Sequence, residues 1–379
     1  MRARLVPTMT ALGLLASGCG SMSLQNAFET DIPPAEKAQI EEIALLTPQM
    51  QEKRRPAQDD AVLRGVHPKS HGCVSAEFRV NNDIEDRFRV GLFADPGRIF
   101  DAGVRFSNAA VNTGDDLAIG GSGGRENGSR GMAIKVRNVG GPVIATDNGA
   151  HNQDFLMINT PEFAFRNTRD YLHLSQVLHE SDLALNSARY FVPTPDEDLN
   201  DGIEATKRII FVPPDGIKFR TVRNPLQVQY FGAAPFLFGD GQAMKFSAKP
   251  CGGNVPQEAF TDSEKETLSP DYLRAALTER VRGNEDICFD FMIQVRGPGD
   301  LDDLNIEDAT TLWPNELENY RSVARVIIKA GQRPDTPEAL ERCEALFYTP
   351  WHALKEHQPL GSINRMRRDV YDASSNHRL

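Results

Sequence analysis

The chain has 379 residues, of which 40% are hydrophobic and 25% charged, and its formal net charge is −11. This composition is ordinary for a globular protein and excludes a fibrous or largely disordered chain. The negative charge also argues against a nucleic-acid partner, because nucleic-acid phosphates would be repelled and no basic run offsets that balance.

Residues 1–19 (MRARLVPTMTALGLLASGC) combine two early arginines, a short apolar stretch and small residues before Cys19. The apolar stretch is too brief to span a bilayer, so the pattern predicts an export signal. Its ending, LASGC, resembles a bacterial lipobox, in which the signal is removed and the cysteine is lipidated. We therefore expect a lipoprotein anchored to a membrane through Cys19 on the periplasmic side. An ordinary secretory signal that contains a cysteine is the alternative.

The chain after the signal predicts one mixed α+β domain. Residues 20–60 predict a tether and then a helix over residues 35–54, where Ile40, Ile43 and Leu46 recur at helical spacing. Short β-rich runs punctuated by Gly and Pro follow, and they predict strands at residues 74–80, 133–136, 155–158, 208–212 and 323–328. Further helices are predicted at residues 171–185, 272–281 and 337–346. No repeat divides residues 61–379, which are expected to form the functional domain.

Four cysteines besides Cys19 are widely spaced and form no C-x-x-C pair, which argues against a zinc or dithiol redox site; they are Cys73, Cys251, Cys288 and Cys343. They can form up to two disulfides in an oxidising compartment or remain free as small buried residues. The sequence leaves both possibilities open.

Two motifs give only weak support for a phosphate-binding loop and for a metal site. The glycine-rich residues 120–131 (GGSGGRENGSRG) lack the Gly-Lys-Ser/Thr ending of a phosphate loop, so they predict a flexible loop. His67 and His71 have the i, i+4 spacing of a metal site on a helix, but Pro68 favours an extended or turning backbone there. A zinc site is therefore not favoured.

The C-terminal residues 367–379 (RRDVYDASSNHRL) carry the strongest chemical signal, because Arg367 lies four residues before Tyr371 and Arg378 seven after it. On a helix, residues i and i+4 lie on the same face, so the Arg367 guanidinium could donate to the phenol oxygen. A tyrosine has a free-solution pKa of about 10, so it becomes an anionic iron ligand at neutral pH only if a cation stabilises the phenolate. The spacing fits an iron-phenolate site.

Several blocks resemble, in order, segments of the haem catalases and their smaller catalase-related relatives. Residues 64–69 (RGVHPK) resemble the distal Arg-Val-Val-His-Ala-Lys, residues 104–107 (VRFS) an identical family block, and residues 130–135 (RGMAIK) Arg-Gly-Phe-Ala-Val-Lys. Asn224-Pro225-Leu226, residues 308–314 (DATTLWP) and the proximal Arg-x-x-x-Tyr with its closing His-Arg-Leu continue the likeness. The resemblance runs from about residue 60 to the C-terminus. It implies an α+β fold in which helices surround a closed antiparallel β-barrel that holds haem at its mouth.

The resemblance also implies a role for each matching residue. Tyr371 would be the axial phenolate ligand of haem iron and Arg367 its stabilising guanidinium. Three arginines would pair with the haem propionates, because a guanidinium fork matches a carboxylate; they are Arg64, Arg105 and Arg378. On the distal face His67 would be the acid–base residue, Ser107 would orient it, and Asn152 would supply an amide. His71 competes with His67, but only His67 keeps arginine three residues before it and lysine two after it.

These matches predict an enzyme that consumes hydrogen peroxide or an organic hydroperoxide, by catalase-type decomposition or by peroxidase use of the same site. Val66 supports this interpretation, because the family's catalases carry valine before the distal histidine, whereas the fatty-acid hydroperoxide-converting relatives carry threonine. The alternatives are such a hydroperoxide isomerase or dehydratase, and a haem-binding lipoprotein without turnover. NADPH is not expected, since the chain ends eight residues after Tyr371, and a homo-oligomer is compatible with the family.

Overall fold

The computed structural model describes residues 32–55, 61–109, 114–119, 125–181, 187–297, 306–314 and 319–379. The predicted signal, Cys19 and most of the predicted tether lie outside these residues. No helix within the described ranges is both long enough and apolar enough to cross a membrane.

Eight antiparallel strands close into a barrel, which confirms the predicted architecture. In chain order the strands are β1 Ser70–Val80, β2 Ile99–Asn108, β3 Ala118–Ile119, β4 Arg125–Glu126, β5 Arg130–Val136, β6 Gln153–Ile158, β7 Tyr230–Phe231, β8 Phe236–Leu237, β9 Ala243–Pro250, β10 Ile287–Arg296 and β11 Arg321–Ile328. The barrel order is β10, β11, β1, β2, β5, β6, β7, β9, and pairing of β9 with β10 closes it. Strand β8 pairs with β9, and β3 with β4 forms a separate ribbon.

Aromatic side chains fill the barrel interior. The Phe155 ring lies 4.6 Å from that of Phe291 and 4.9 Å from that of Phe246, and Phe78 meets Phe291 edge-on at 5.1 Å. Side chains alternate along a strand, so residues next to these core positions face outward. Side chains therefore fill the barrel interior, and the outer face of its wall is the surface against which other elements can pack.

Helices cover that outer face. They are α1 Pro34–Lys53, α2 Thr168–Glu180, α3 Glu197–Phe211, α4 Asp262–Thr267, α5 Tyr272–Val281, α6 Pro337–Glu344 and α7 Ser362–Arg378. Helix α1 starts at a proline, which suits the first helical turn, and buries Ile40, Ile43 and Thr47 at helical spacing. It packs against both α2 and α7. An ion-pair cluster also joins α1 to α7, because Arg365 contacts Glu36 at 2.8 Å and Glu307 at 2.7 Å.

The strand predicted at residues 208–212 is wrong, because residues 197–211 form helix α3. The run Ile209-Ile210-Phe211 is short and rich in β-branched residues, a composition typical of a strand. Asp196 caps the helix by accepting from the Leu199 N–H, and the buried positions Ile203, Thr206 and Ile209 recur at a helical period.

Two disulfides pair the four cysteines that the sequence left unassigned. Cys73 on β1 is bonded to Cys343 on α6, and Cys251, which follows β9, is bonded to Cys288 on β10. The first of these bonds ties strand β1 to the end of α6, and the segment that carries His67 leads directly into β1.

Candidate haem site

A cavity lies between the outer face of β2, β5 and β6 and the helices α1, α2 and α7. Ser107, Gly131 and Ile158 line it from one end of their strands, since β2 ends at residue 108, β5 begins at residue 130 and β6 ends at residue 158. One face of α7 supplies residues at helical spacing: Arg367, Val370, Tyr371, Ser374, Ser375 and Arg378.

His67 and Ser107 meet on the strand side of this cavity. His67 Nδ1 lies 3.0 Å from Ser107 Oγ, and the Arg105 guanidinium donates to the His67 carbonyl oxygen at 3.0 Å. The backbone of His67 is left-handed, with φ of 53°, so this residue is not part of a helix or strand. That conformation excludes the helical His67–His71 pair considered from the sequence.

Gly131 makes room for the imidazole. An ideal Cβ on Gly131 would lie 2.3 Å from His67 Nδ1 and 2.8 Å from Ser107 Oγ, closer than atoms can approach. Strand pairing places Gly131 directly opposite Ser107, so the imidazole lies over a position without a side chain. This contact explains why glycine follows Arg130 in the block at residues 130–135.

Burial sets the charge of His67. Desolvation in the cavity, followed by the guanidinium charges of Arg105, Arg367 and Arg64 in that order, lowers the pKa of its imidazole to about 3. His67 is therefore neutral at physiological pH. A neutral imidazole held through one nitrogen is able to accept a proton at the other.

Tyr371 and Arg367 face the cavity from α7, one helical turn apart. The Arg367 guanidinium carbon lies 5.7 Å from the centre of the Tyr371 ring and 5.3 Å from that of Phe163, and the guanidinium donates to Asn364 Oδ1 at 3.2 Å. The guanidinium thus lies over the phenol ring, at the i, i+4 spacing that the sequence predicts. This arrangement is compatible with an iron-phenolate site.

Arg64, Arg105 and Arg378 converge on the C-terminal end of helix α6, and we call these three residues with Glu344 the arginine cluster. The Glu344 carboxylate lies 3.3 Å from Arg64 Nε and 3.3 Å from Arg105 Nη2. Arg64 also donates to the carbonyl oxygens of Glu344 at 3.1 Å and Leu346 at 2.5 Å. Arg378 donates to the same two carbonyls, at 3.1 Å for Leu346. The last carbonyls of a helix carry partial negative charge, which suits this convergence.

The arginine cluster carries more positive than negative charge. Three guanidinium groups face one carboxylate, so the net charge is +2. Arg105 is buried at 3% exposure and its Nε has no hydrogen-bond partner. Burial, followed by the charge of Arg105, lowers the pKa of Arg64 to about 9. A dicarboxylate such as haem would satisfy the unpaired buried donor of Arg105 and the excess positive charge, so these residues fit that group.

Asn152, predicted as the distal amide, and His71, the competitor of His67, lie outside the cavity lining. Asn152 is buried, but it does not line the cavity; its side chain donates to Asp147 Oδ2 at 3.1 Å and accepts from the Asn138 N–H at 3.3 Å. That placement argues against a distal amide role. His71 lies on β1 and contacts Asn108 Oδ1 at 3.0 Å, also away from the cavity.

Four polar residues in or beside the cavity were missed by sequence reasoning. Arg54, which follows α1, donates to the Gly65 carbonyl at 2.6 Å, and Tyr171 on α2 has a pKa that burial, followed by the charge of Tyr371, raises to about 12. Glu344 belongs to the arginine cluster, and Tyr348 lies beside Arg64, whose guanidinium carbon is 6.0 Å from the ring centre. No motif marks these positions, because only the fold brings their elements together.

The fold agrees with a comparison of the sequence against known families. Over residues 49–335 the sequence matches the family model described as Catalase. The chain belongs to the catalase family. This match includes His67 and Ser107 but ends before Glu344 and Tyr371. No curated protein matches the chain.

Solved catalase structures share the fold at low sequence identity. Catalase A from Saccharomyces cerevisiae superposes with a TM-score of 0.65 at 17% identity over 85% of this chain. A fungal catalase gives 0.62 at 16% over 85%, and a bacterial catalase 0.60 at 17% over 100%. The chain covers 60%, 62% and 68% of the fungal, yeast and bacterial structures, respectively.

Proposed function

We propose that the protein is a haem-dependent oxidoreductase that consumes hydroperoxide, most directly by catalase-type conversion of two molecules of hydrogen peroxide into two of water and one of dioxygen. The observation that carries this proposal is that two pairs of residues meet in one cavity. A neutral His67 lies beside Ser107, and the Arg367 guanidinium lies over the Tyr371 ring. Family membership supports it.

Haem would be held by residues from both sides of the cavity. Tyr371 would ligate the iron, Arg367 would stabilise the phenolate, and the arginine cluster would hold the two propionates. Haem, when bound, supplies a redox-active iron centre at which a peroxide O–O bond can be cleaved. Ala133, Leu156 and Val370 offer apolar contact to a planar macrocycle.

His67 would act as the acid–base residue. Because its imidazole is neutral, it can take a proton from one peroxide oxygen and deliver it to the other, so that water leaves in place of hydroxide. Ser107 holds Nδ1 and so fixes the plane of the ring. Arg105 holds the backbone of the same residue through its carbonyl. If an organic molecule provides the electrons in place of a second peroxide, the same groups support a peroxidase.

The apolar walls of the cavity favour a second candidate substrate, an organic hydroperoxide. Met50, Leu174 and Leu178 line the helical side and Ile158 the strand side, and the methionine side chain adapts to irregular shapes. A hydroperoxide with an apolar tail could be buried there, whether the outcome is reduction or the isomerase or dehydratase reaction of the catalase-related relatives.

We also propose that the protein is exported and anchored through Cys19. The two disulfides support an oxidising compartment, since such bonds rarely persist where thiols are kept reduced. Assembly into a homo-oligomer is a further proposal, made from family membership alone.

Oxygen evolution from hydrogen peroxide by the haem-loaded protein tests the function, with His67→Ala alongside. Fast oxygen release that the variant loses would support catalase chemistry. If oxygen release is negligible but cumene hydroperoxide is consumed in a His67-dependent way, organic hydroperoxides are the substrate. A haem-loaded protein that consumes neither would be a haem-binding protein and would overturn the proposed enzyme.

A further inference from the structure

Glu344 contributes a carboxylate to the site that the arginines would use for propionates. Its two oxygens are divided between two cations, one 3.3 Å from Arg64 Nε and the other 3.3 Å from Arg105 Nη2. Burial opposes its ionisation, but Arg105 and Arg64 outweigh that cost, so the pKa of its carboxyl lies below the usual range. Glu344 is therefore an anion at neutral pH. Among the described residues, no other carboxylate forms an ion pair with Arg64, Arg105 or Arg378.

The position of Glu344 is fixed by its neighbours. Helix α6 ends at Glu344, and the preceding residue, Cys343, is bonded to Cys73 on β1. The carbonyl of Glu344 accepts from both Arg64 and Arg378. The carboxylate and the carbonyl of Glu344 together contact all three arginines of the cluster.

We propose that Glu344 is a positioning residue that makes the arginine cluster selective for a ligand with two carboxylates. Without Glu344, three guanidinium groups would repel one another in a partly dry site, and Arg64 and Arg105 would lose the acceptor that holds them apart. With it, the cluster carries +2, and two propionates bring the total to zero. This inference rests on the proposed haem site and adds a specificity residue that lies beyond the residues matched by the family model.

The competing effect is repulsion, because the Glu344 carboxylate is itself an anion near the place where propionates would bind. If repulsion dominates, removing its charge strengthens the binding of a dicarboxylate. If positioning dominates, removing it weakens that binding. The division of the two oxygens between two arginines favours positioning, since each guanidinium is oriented by one charge-assisted contact.

The test compares haem with haem dimethyl ester, which keeps the iron and macrocycle but carries no free carboxylate. Both are titrated by absorption into the full-length protein, and the ratio of the ester Kd to the haem Kd reports the contribution of the arginine cluster. We expect Glu344→Gln to lower this ratio about tenfold and to change the ester Kd by less than about threefold. Glu344→Asp, which keeps the charge, should retain most of the ratio.

Glu36→Gln is the matched control, because Glu36 also pairs with a partly buried arginine, Arg365 at 2.8 Å, but lies outside the cavity lining. It should leave the ratio unchanged. An unchanged or raised ratio in Glu344→Gln would overturn the proposal, and equal weakening of both ligands would indicate a purely structural role. If the unmodified protein binds neither ligand, the haem site itself fails, and this inference fails with it.

Discussion

Replacing Gly131 with alanine should displace His67 without removing any functional group. The added Cβ would lie 2.3 Å from His67 Nδ1, 2.5 Å from Cε1 and 2.8 Å from Ser107 Oγ. An ordinary contact begins near 3.4 Å, so the imidazole has to move by about 1 Å. A shift of that size breaks the 3.0 Å contact with Ser107. Misplacement of a catalytic group by 1 Å can cost about 100-fold in rate.

Initial rates of peroxide consumption by haem-loaded Gly131→Ala, at matched haem content, measure this effect. We expect a loss of about 100-fold, with stability lowered by about 1–3 kcal/mol from overpacking. Gly252→Ala is the control, because nothing lies within 4 Å of the position that its Cβ would take, and its rate should match that of the unmodified protein. A Gly131→Ala rate within about threefold of the unmodified protein would refute the role assigned to the His67–Ser107 contact.

Two further predictions concern the disulfides and the response to acid. Cys73→Ser, which removes the bond to Cys343 next to the arginine cluster, should lower the free energy of unfolding by about 2–5 kcal/mol and also weaken haem binding. Cys251→Ser should lower the free energy of unfolding but leave haem binding unchanged. Equal haem affinities of the two variants, measured on folded samples at the same urea concentration, would contradict this prediction. Burial lowers the pKa of His357 to about 4, whereas the pKa in the unfolded chain is about 6.5. Between these two values the unfolded chain binds one proton more than the folded protein, so the free energy of unfolding falls by about 1.4 kcal/mol for each unit by which the pH is lowered. Urea unfolding of His357→Gln at pH 7 and pH 5 should show a smaller loss of stability, and the same loss as in the unmodified protein would contradict this account.

The sequence predicted the parts of the site that lie within short motifs. His67, Ser107 and Arg105 were nominated by the resemblance of two short blocks to catalase segments. Arg367 and Tyr371 lie on one helix, where local spacing also pointed to them. Four of the eight barrel strands, β1, β5, β6 and β11, also followed from β-rich runs. Helix α3 was missed because a short β-branched run outweighed the cap at Asp196.

The parts that could not be predicted depend on long-range contacts. Glu344 meets Arg64 across 280 positions of the chain, and Cys73 meets Cys343 across 270. Nothing in the local sequence distinguishes such a glutamate from an exposed one. Local sequence can also suggest a contact that the fold does not make. Alignment with the family placed Asn152 at the distal site, whereas in the structure its side chain donates to Asp147.

Titration of ferric haem into the purified protein and its Tyr371→Phe variant, followed by absorption spectroscopy, tests the central claim most directly. The account predicts that the unmodified protein binds one haem per chain with a tyrosinate-type ferric spectrum, and that the variant loses this spectrum even where the arginine cluster still retains haem. Identical spectra for the two proteins, or no haem binding by the unmodified protein, would contradict the assignment of Tyr371 and of this cavity.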